Sequence, residues 1–222
     1  MSKNRELLHF LHIGKTGGSA IKAVLKNHKH SGKYDLVLHN HQTAISEVPE
    51  GEKIFFCLRD PISRFVSGFY SRKRKGQPKY NQEWNKREKI VFESFETPNQ
   101  IAELLFSASS DDKARGVEAM RSIPHFTRYK RWYGDMDYFK SRFDDILFVG
   151  FQESLDTDFE HLKSLLELPD ILSLPSDDVV AHRNPMGIDK RISDKGLNAL
   201  NKWYAEDYEF YNYCNEAFSS TD

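Results

Sequence analysis

The sequence predicts a three-layer α/β fold, with a mostly parallel central sheet and helices on both of its faces. Three observations lead there. Apolar runs of strand length recur at 7–13, 34–38, 53–58 and 145–151. Helical patterns lie between them, the alternation expected of a parallel sheet. The first and third runs also break directly into a turn that opens a helix, the connection a parallel strand needs. At 222 residues the simplest organisation is one domain over 1–222.

The elements follow in order. The first strand, Leu7 to Ile13, ends in Gly14-Lys15-Thr16-Gly17-Gly18-Ser19, and a helix over 18–27 follows with Ile21, Val24 and Leu25 at helical spacing. A polar loop over 28–33 precedes a strand at 34–38, which ends in His39-Asn40-His41. After the Pro49-Glu50-Gly51 turn comes the strand Lys53 to Leu58. Asp60-Pro61 then starts a helix to about Lys73, because Asp caps well and proline at the first position gives up an amide that has no helical partner. Ile62, Phe65, Val66 and Phe69 form its core side. Helical stretches near 99–107 and 112–122 lie in a charged, aromatic-rich insertion at about 76–142. A strand at 145–151 and a capping box at Thr157-Asp158-Phe159-Glu160 open the next helix, which Pro169 closes. Leu197, Leu200, Trp203 and Tyr204 head a final helix running into Asp207–Tyr211.

Composition excludes several classes. Hydrophobic content of 39% against 29% charged residues describes a globular chain, and a net charge of −1 offers no global attraction to nucleic acid. Two cysteines make no disulfide framework, and Cys57 reads as a small core residue. No signal peptide or membrane span is evident, so the expected location is soluble and cytoplasmic. His39 and His41 lack companion ligands at metal spacing, so no metal is expected. His9 and His12 read as structural.

The loop after the first strand has the build of an anion site. Glycines let the backbone approach a phosphate, the first helical N–H groups point at it, and the helix dipole favours negative charge. Lys15 adds a point charge, and Thr16 and Ser19 add hydroxyls. A Walker A loop would need a glycine where His9 stands, and its lysine follows the loop rather than preceding a glycine pair.

With Phe55-Phe56-Cys57-Leu58-Arg59-Asp60-Pro61-Ile62-Ser63-Arg64-Phe65-Val66-Ser67, the chain resembles sulfotransferases that use 3′-phosphoadenosine 5′-phosphosulfate (PAPS). The Lys15 loop is similar to their 5′-phosphosulfate loop, with Gly14 in place of a proline, and the Arg59 segment to their 3′-phosphate segment. The likeness is closest to the carbohydrate branch that includes heparan sulfate 2-O-sulfotransferases. It implies a P-loop-like α/β fold and a nucleotide site made of Gly14, Lys15, Thr16, Gly17, Gly18, Ser19, Arg59 and Ser67. Arg183 and Asn184 join it from a loop similar to the one that lies over the nucleotide in that family. Leu38-His39-Asn40-His41 resembles the His-Gly-His segment whose second histidine takes the base role. Lys15 and His41 are therefore the catalytic candidates, with His39 as support or substitute. An unperturbed imidazole, with a pKa of about 6.5, suits that role near neutrality.

The implied partner is a hydroxyl-bearing acceptor, a glycan or glycoconjugate. Arg72, Lys73, Arg74 and Lys75 offer an anionic acceptor a basic patch, or a solvated helix end. Trp84, Trp132 and Tyr133 offer either sugar stacking or packing of the insertion. Two other classes remain open: a P-loop nucleotide kinase, for which Asp60 would be the magnesium carboxylate, and a non-catalytic nucleotide-binding relative.

Overall fold

The structure, a computed structural model, describes residues 5–177, 184–185 and 187–218. Among them, in chain order, are β1 (Glu6–Leu11), α1 (Gly18–Leu25), β2 (His30–Ser31), β3 (Tyr34–Leu38), β4 (Lys53–Leu58), α2 (Pro61–Lys73), α3 (Lys86–Ser94) and α4 (Pro98–Leu104). There follow α5 (Ser110–Ser122), α6 (Lys130–Tyr133), α7 (Met136–Ser141), β5 (Ile146–Phe151), α8 (Leu155–Leu165), α9 (Asp194–Trp203) and α10 (Ala205–Phe218). The described residues form two compact units: 5–59, 129–177 and 210–218 in the first, 60–128 and the described residues of 184–209 in the second.

The first unit is built on a five-stranded sheet of order β2-β3-β1-β4-β5. β1 pairs in parallel with β3 and β4, β4 with β5, and only the short β2 runs antiparallel. Side chains alternate across a strand, so β1 and β4 feed two cores. Leu8, Phe10, Phe55 and Cys57 pack on one face against Ile21 and Leu25 of α1 and Phe159 and Leu162 of α8. Leu11, Ile54, Phe56 and Leu58 pack on the other against Trp132, Tyr133, Phe139 and Phe210. This is the mostly parallel, helix-flanked sheet that the sequence predicts. Each fully buried phenylalanine contributes about 1.5–3 kcal/mol relative to exposure, so the aromatic-rich cores carry much of the stability.

The second unit is helical. Phe65, Val66 and Phe69 of α2 pack against Val91 and Phe92 of α3, Ile101 of α4, Met120 of α5 and Leu200 of α9. Asp60 caps α2, accepting from the Ser63 amide at 2.7 Å, with Pro61 in the first helical position as expected. The predicted insertion at 76–142 divides, with 76–128 in this unit and 129–142 in the first.

Several local expectations are corrected. The polar stretch 28–33 contains β2. Thr157 is not a cap: α8 already begins at Leu155, and Asp158 accepts instead from the Phe151 amide and, at 3.0 Å, from the Ser154 hydroxyl. The final helix is two helices, separated at Tyr204, whose ring is buried in the second unit's core. Trp132 and Tyr133 lie in the core of the first unit, and Trp84 packs on that of the second with its indole N–H on the Arg72 carbonyl at 2.7 Å. Packing, not sugar stacking, accounts for all three.

Candidate active site

Parallel pairing brings the carboxyl ends of β1, β3 and β4 to one edge of the sheet, where open α/β sheets bind ligands. The chain leaves that edge three times, as the 14–19 loop, the 39–41 segment and Arg59.

The 14–19 loop turns tightly into α1. Lys15 has φ +70° and Gly17 φ +86°, both in the left-handed region. A Cβ at Gly17 would come within 2.6 Å of Leu155, and one at Gly18 within 2.6 Å of the His12 ring. Thr16 is buried, and its hydroxyl donates to the Ile13 carbonyl at 2.9 Å, bracing the loop from inside. Side chains accept amide protons at the starts of α2, α3, α5, α7 and α9. At α1 no side chain does so, and its first turn holds no acidic residue. The positive end of the α1 dipole is thus matched by neither cap nor carboxylate, and Lys15 stands half-buried beside it. These features fit an anionic group such as a phosphate.

His41 is exposed, and its backbone is fixed. The Trp132 indole N–H donates to the His41 carbonyl at 2.8 Å, and Arg131 donates to the Gln42 carbonyl at 2.8 Å. Its Nδ1 lies 2.8 Å from the His12 carbonyl oxygen. A carbonyl only accepts, so Nδ1 carries the proton of that bond and the lone pair of the neutral ring is on Nε2. The His12 and His41 rings lie 4.0 Å apart, and a Cβ at Gly14 would stand 3.8 Å from His41 Nδ1. The structure thus brings His41 to the start of the 14–19 loop, with His12 as the link. His12 also stands 3.5 Å from the Ser19 hydroxyl.

Arg59 is positioned by its main chain. The buried Tyr129 hydroxyl accepts from its amide at 3.0 Å and donates to its carbonyl at 2.6 Å. His39, half-buried, has its carbonyl held by Lys22 Nζ at 2.8 Å. Burial, aided by the neighbouring charges of His9 and Lys22, pushes its imidazole below the usual histidine range, against an opposing pull from Glu47.

The remaining predicted residues lie in the second unit. Ser67 is buried within α2, and the Asn184 side-chain oxygen accepts from Arg74. Arg183 falls outside the described residues. Arg72 is corrected: 2% exposed, it makes a two-pronged bond to Glu88, from Nε at 2.6 Å and from Nη2 at 2.8 Å, and so cannot greet an acceptor. Lys73 pairs with Glu96, and Lys75 with Glu83 at 2.6 Å. Among the described residues no group of three or more His, Cys, Asp and Glu could hold a metal ion, and no helix is long and apolar enough to cross a membrane.

Sequence reasoning missed the supports: Tyr129, Trp132, Arg131 and the carbonyl of His12. No local signal marks them, since Trp132 stands 91 residues from its partner His41.

A comparison with curated proteins finds no match. The family model described as the sulfotransferase family matches residues 1–214, a span that holds the 14–19 loop, His41 and Arg59. On that match, the chain belongs to the sulfotransferase family.

Proposed function

We propose that this protein transfers a sulfuryl group from PAPS to a carbohydrate hydroxyl, with His41 as general base and Lys15 on the leaving phosphate. The observation that carries the reading is the His41 Nδ1 bond to the His12 carbonyl at 2.8 Å, which leaves a basic Nε2 on a residue tied to the phosphate-type loop. The carbohydrate assignment is supported by the likeness of 38–41 to the 2-O-sulfotransferase segment.

Sulfuryl transfer breaks the sulfur–oxygen bond to the 5′-phosphate and forms one to the acceptor oxygen, which loses its proton. His41 Nε2 accepts that proton. Lys15 and the amides at the start of α1 stabilise charge growing on the phosphate, an arrangement set before the reaction begins. Arg59, its backbone pinned by Tyr129, offers a planar fork to the 3′-phosphate. The likeness to the family assigns Ser67, Arg183 and Asn184 to the nucleotide as well. Of the basic run, Lys73, Arg74 and Lys75 remain candidates for contacts to the acceptor, and His39 is a further candidate for that role.

Isothermal titration with adenosine 3′,5′-bisphosphate (PAP), with and without magnesium, tests the nucleotide. Tight binding without the metal is expected, and Arg59→Ala should weaken it by about 2–4 kcal/mol. Equal affinity of variant and parent removes Arg59 from the site. Labelled PAPS with a panel of glycans, phenols and alcohols tests the acceptor, and transfer to phenols alone overturns the carbohydrate assignment.

A further inference from the structure

His9 sits in β1, 6% exposed, yet titratable groups engage both of its ring nitrogens. Nε2 lies 2.6 Å from Glu52 Oε2, and Nδ1 lies 2.8 Å from His39 Nε2. The two imidazoles stack with centroids 5.1 Å apart. Register explains the line. His9 pairs with Val37 of β3 and Ile54 of β4. Glu52 lies two residues before Ile54 and His39 two beyond Val37, so they flank His9 by about 6–7 Å along the strand direction, within reach of one imidazole between them.

We infer that Glu52, His9 and His39 form a proton relay, in which a proton taken up at His39 is stored at the half-buried Glu52–His9 pair. The protons balance as follows. The Glu52 carboxylate accepts from His9 Nε2–H. In the resting form His9 Nδ1 is a lone pair accepting from His39 Nε2–H, and His39 Nδ1 carries the open lone pair. A proton added at His39 Nδ1 moves the Nε2 proton across to His9 Nδ1. One proton has entered, His39 is neutral again with its hydrogen on Nδ1, and the positive charge rests on His9 against Glu52.

The surroundings favour that destination. At His9 the facing group is the Glu52 carboxylate, whose Oε2 lies 2.6 Å from Nε2 and accepts its hydrogen. At His39 the facing groups are His9 from β1, Lys22 from α1 and Glu47 from the turn at 45–47, and burial opposes charge on the ring. Glu47 alone favours a charge there. The catalytic use of the relay rests on the reading of 38–41 as the acid–base edge of a sulfotransferase site: each turnover frees one acceptor proton, and the relay is a second store for it beside His41. His9 and Glu52 are positioning residues in this scheme.

The test is a nitrogen-15 histidine NMR titration of the full chain from about pH 8 to pH 5, a window centred on the histidine range. The expected result is an imidazolium signature at His9, with His39 staying neutral and changing from the Nε2–H to the Nδ1–H form. Glu52→Gln keeps a hydrogen-bond partner but removes the charge. In that variant the imidazolium should form at His39 instead, with PAP affinity unchanged. If Glu52→Gln does not fold, the parent titration decides alone. An imidazolium at His39 beside neutral His9 in the parent overturns the relay, whatever the turnover. The expected titration without transfer from PAPS to any acceptor upholds the relay and overturns the sulfotransfer reading instead.

Discussion

His41 shows how a single backbone oxygen can set the chemistry of a side chain. Because the His12 carbonyl accepts a hydrogen bond from its Nδ1–H, the neutral ring offers only Nε2 as a base. Under the proposed mechanism, His41→Ala should lower kcat by roughly 10²–10⁴-fold with little change in PAP affinity. The acid limb of the pH profile should disappear from its residual activity but persist in Lys15→Ala. Near-parent kcat in His41→Ala would place the base elsewhere, with His39 next to test. Gly18 is a second single-residue constraint. Its added methyl would meet His12 Cδ2 at 2.6 Å and Phe10 Cζ at 3.2 Å, both on rigid rings in a packed region. Gly18→Ala should therefore cost about 1–3 kcal/mol in chemical denaturation, as overpacking does. Because the ring displaced belongs to His12, kcat should fall as well. A variant as stable and active as the parent would show that the loop relaxes freely.

At the scale of elements, the segment after β3 is held from outside. Trp132 and Arg131 of α6 grip the carbonyls of His41 and Gln42. Arg142, just beyond α7, donates to the carbonyls of Val48 at 3.1 Å and Pro49 at 3.0 Å, and to Asp145 at 2.6 Å. Trp132→Phe keeps an aromatic ring in the core and deletes only the indole donor. The lost hydrogen bond is worth about 0.5–1.5 kcal/mol. If α6 positions the base, kcat should fall on the order of tenfold while PAP affinity holds, since small misplacements of a reacting group are costly. Unchanged kcat with lowered stability would confine Trp132 to packing.

At the scale of the whole molecule, the Arg142–Asp145 pair makes folding depend on pH. Burial pushes the Asp145 carboxyl up, but bonds from Arg142 and the Gly51 amide, with the charges of Arg142 and Lys53, outweigh it and hold the carboxyl below its usual range. A lowered folded-state value means stability that is present above the unfolded pKa of about 4 and lost as pH falls through the lower folded value. Asp145→Asn should therefore cost about 1.5–3 kcal/mol at pH 7, the range for a charge-assisted bond, and the gap to the parent should close below about pH 4. A gap that stays constant with pH would assign the loss to packing. Both free thiols, Cys57 and Cys214, are buried, and burial pushes each well above the usual thiol range, consistent with core rather than reactive roles.

What the sequence alone determined is what local physics controls. The bounds of β3, β4 and α2 follow from apolar period and from the Asp60-Pro61 start, and each is read within its own few residues. The same holds for the glycine-rich turn into α1 and for the order of elements, and hence for the α/β class. What only the tertiary structure decided are the partners. Trp132 meets His41, Arg142 meets Val48 and Pro49, Arg72 meets Glu88, and His9 meets both Glu52 and His39, across separations of 16 to 94 residues. Neither a basic run nor a lone histidine carries a record of which carboxylate or carbonyl it will face. That depends on strand register and helix packing, which join residues far apart in the chain. So Arg72 reads as a surface charge and proves to be a buried ion pair, while His9, taken as structural, lies between two titratable groups.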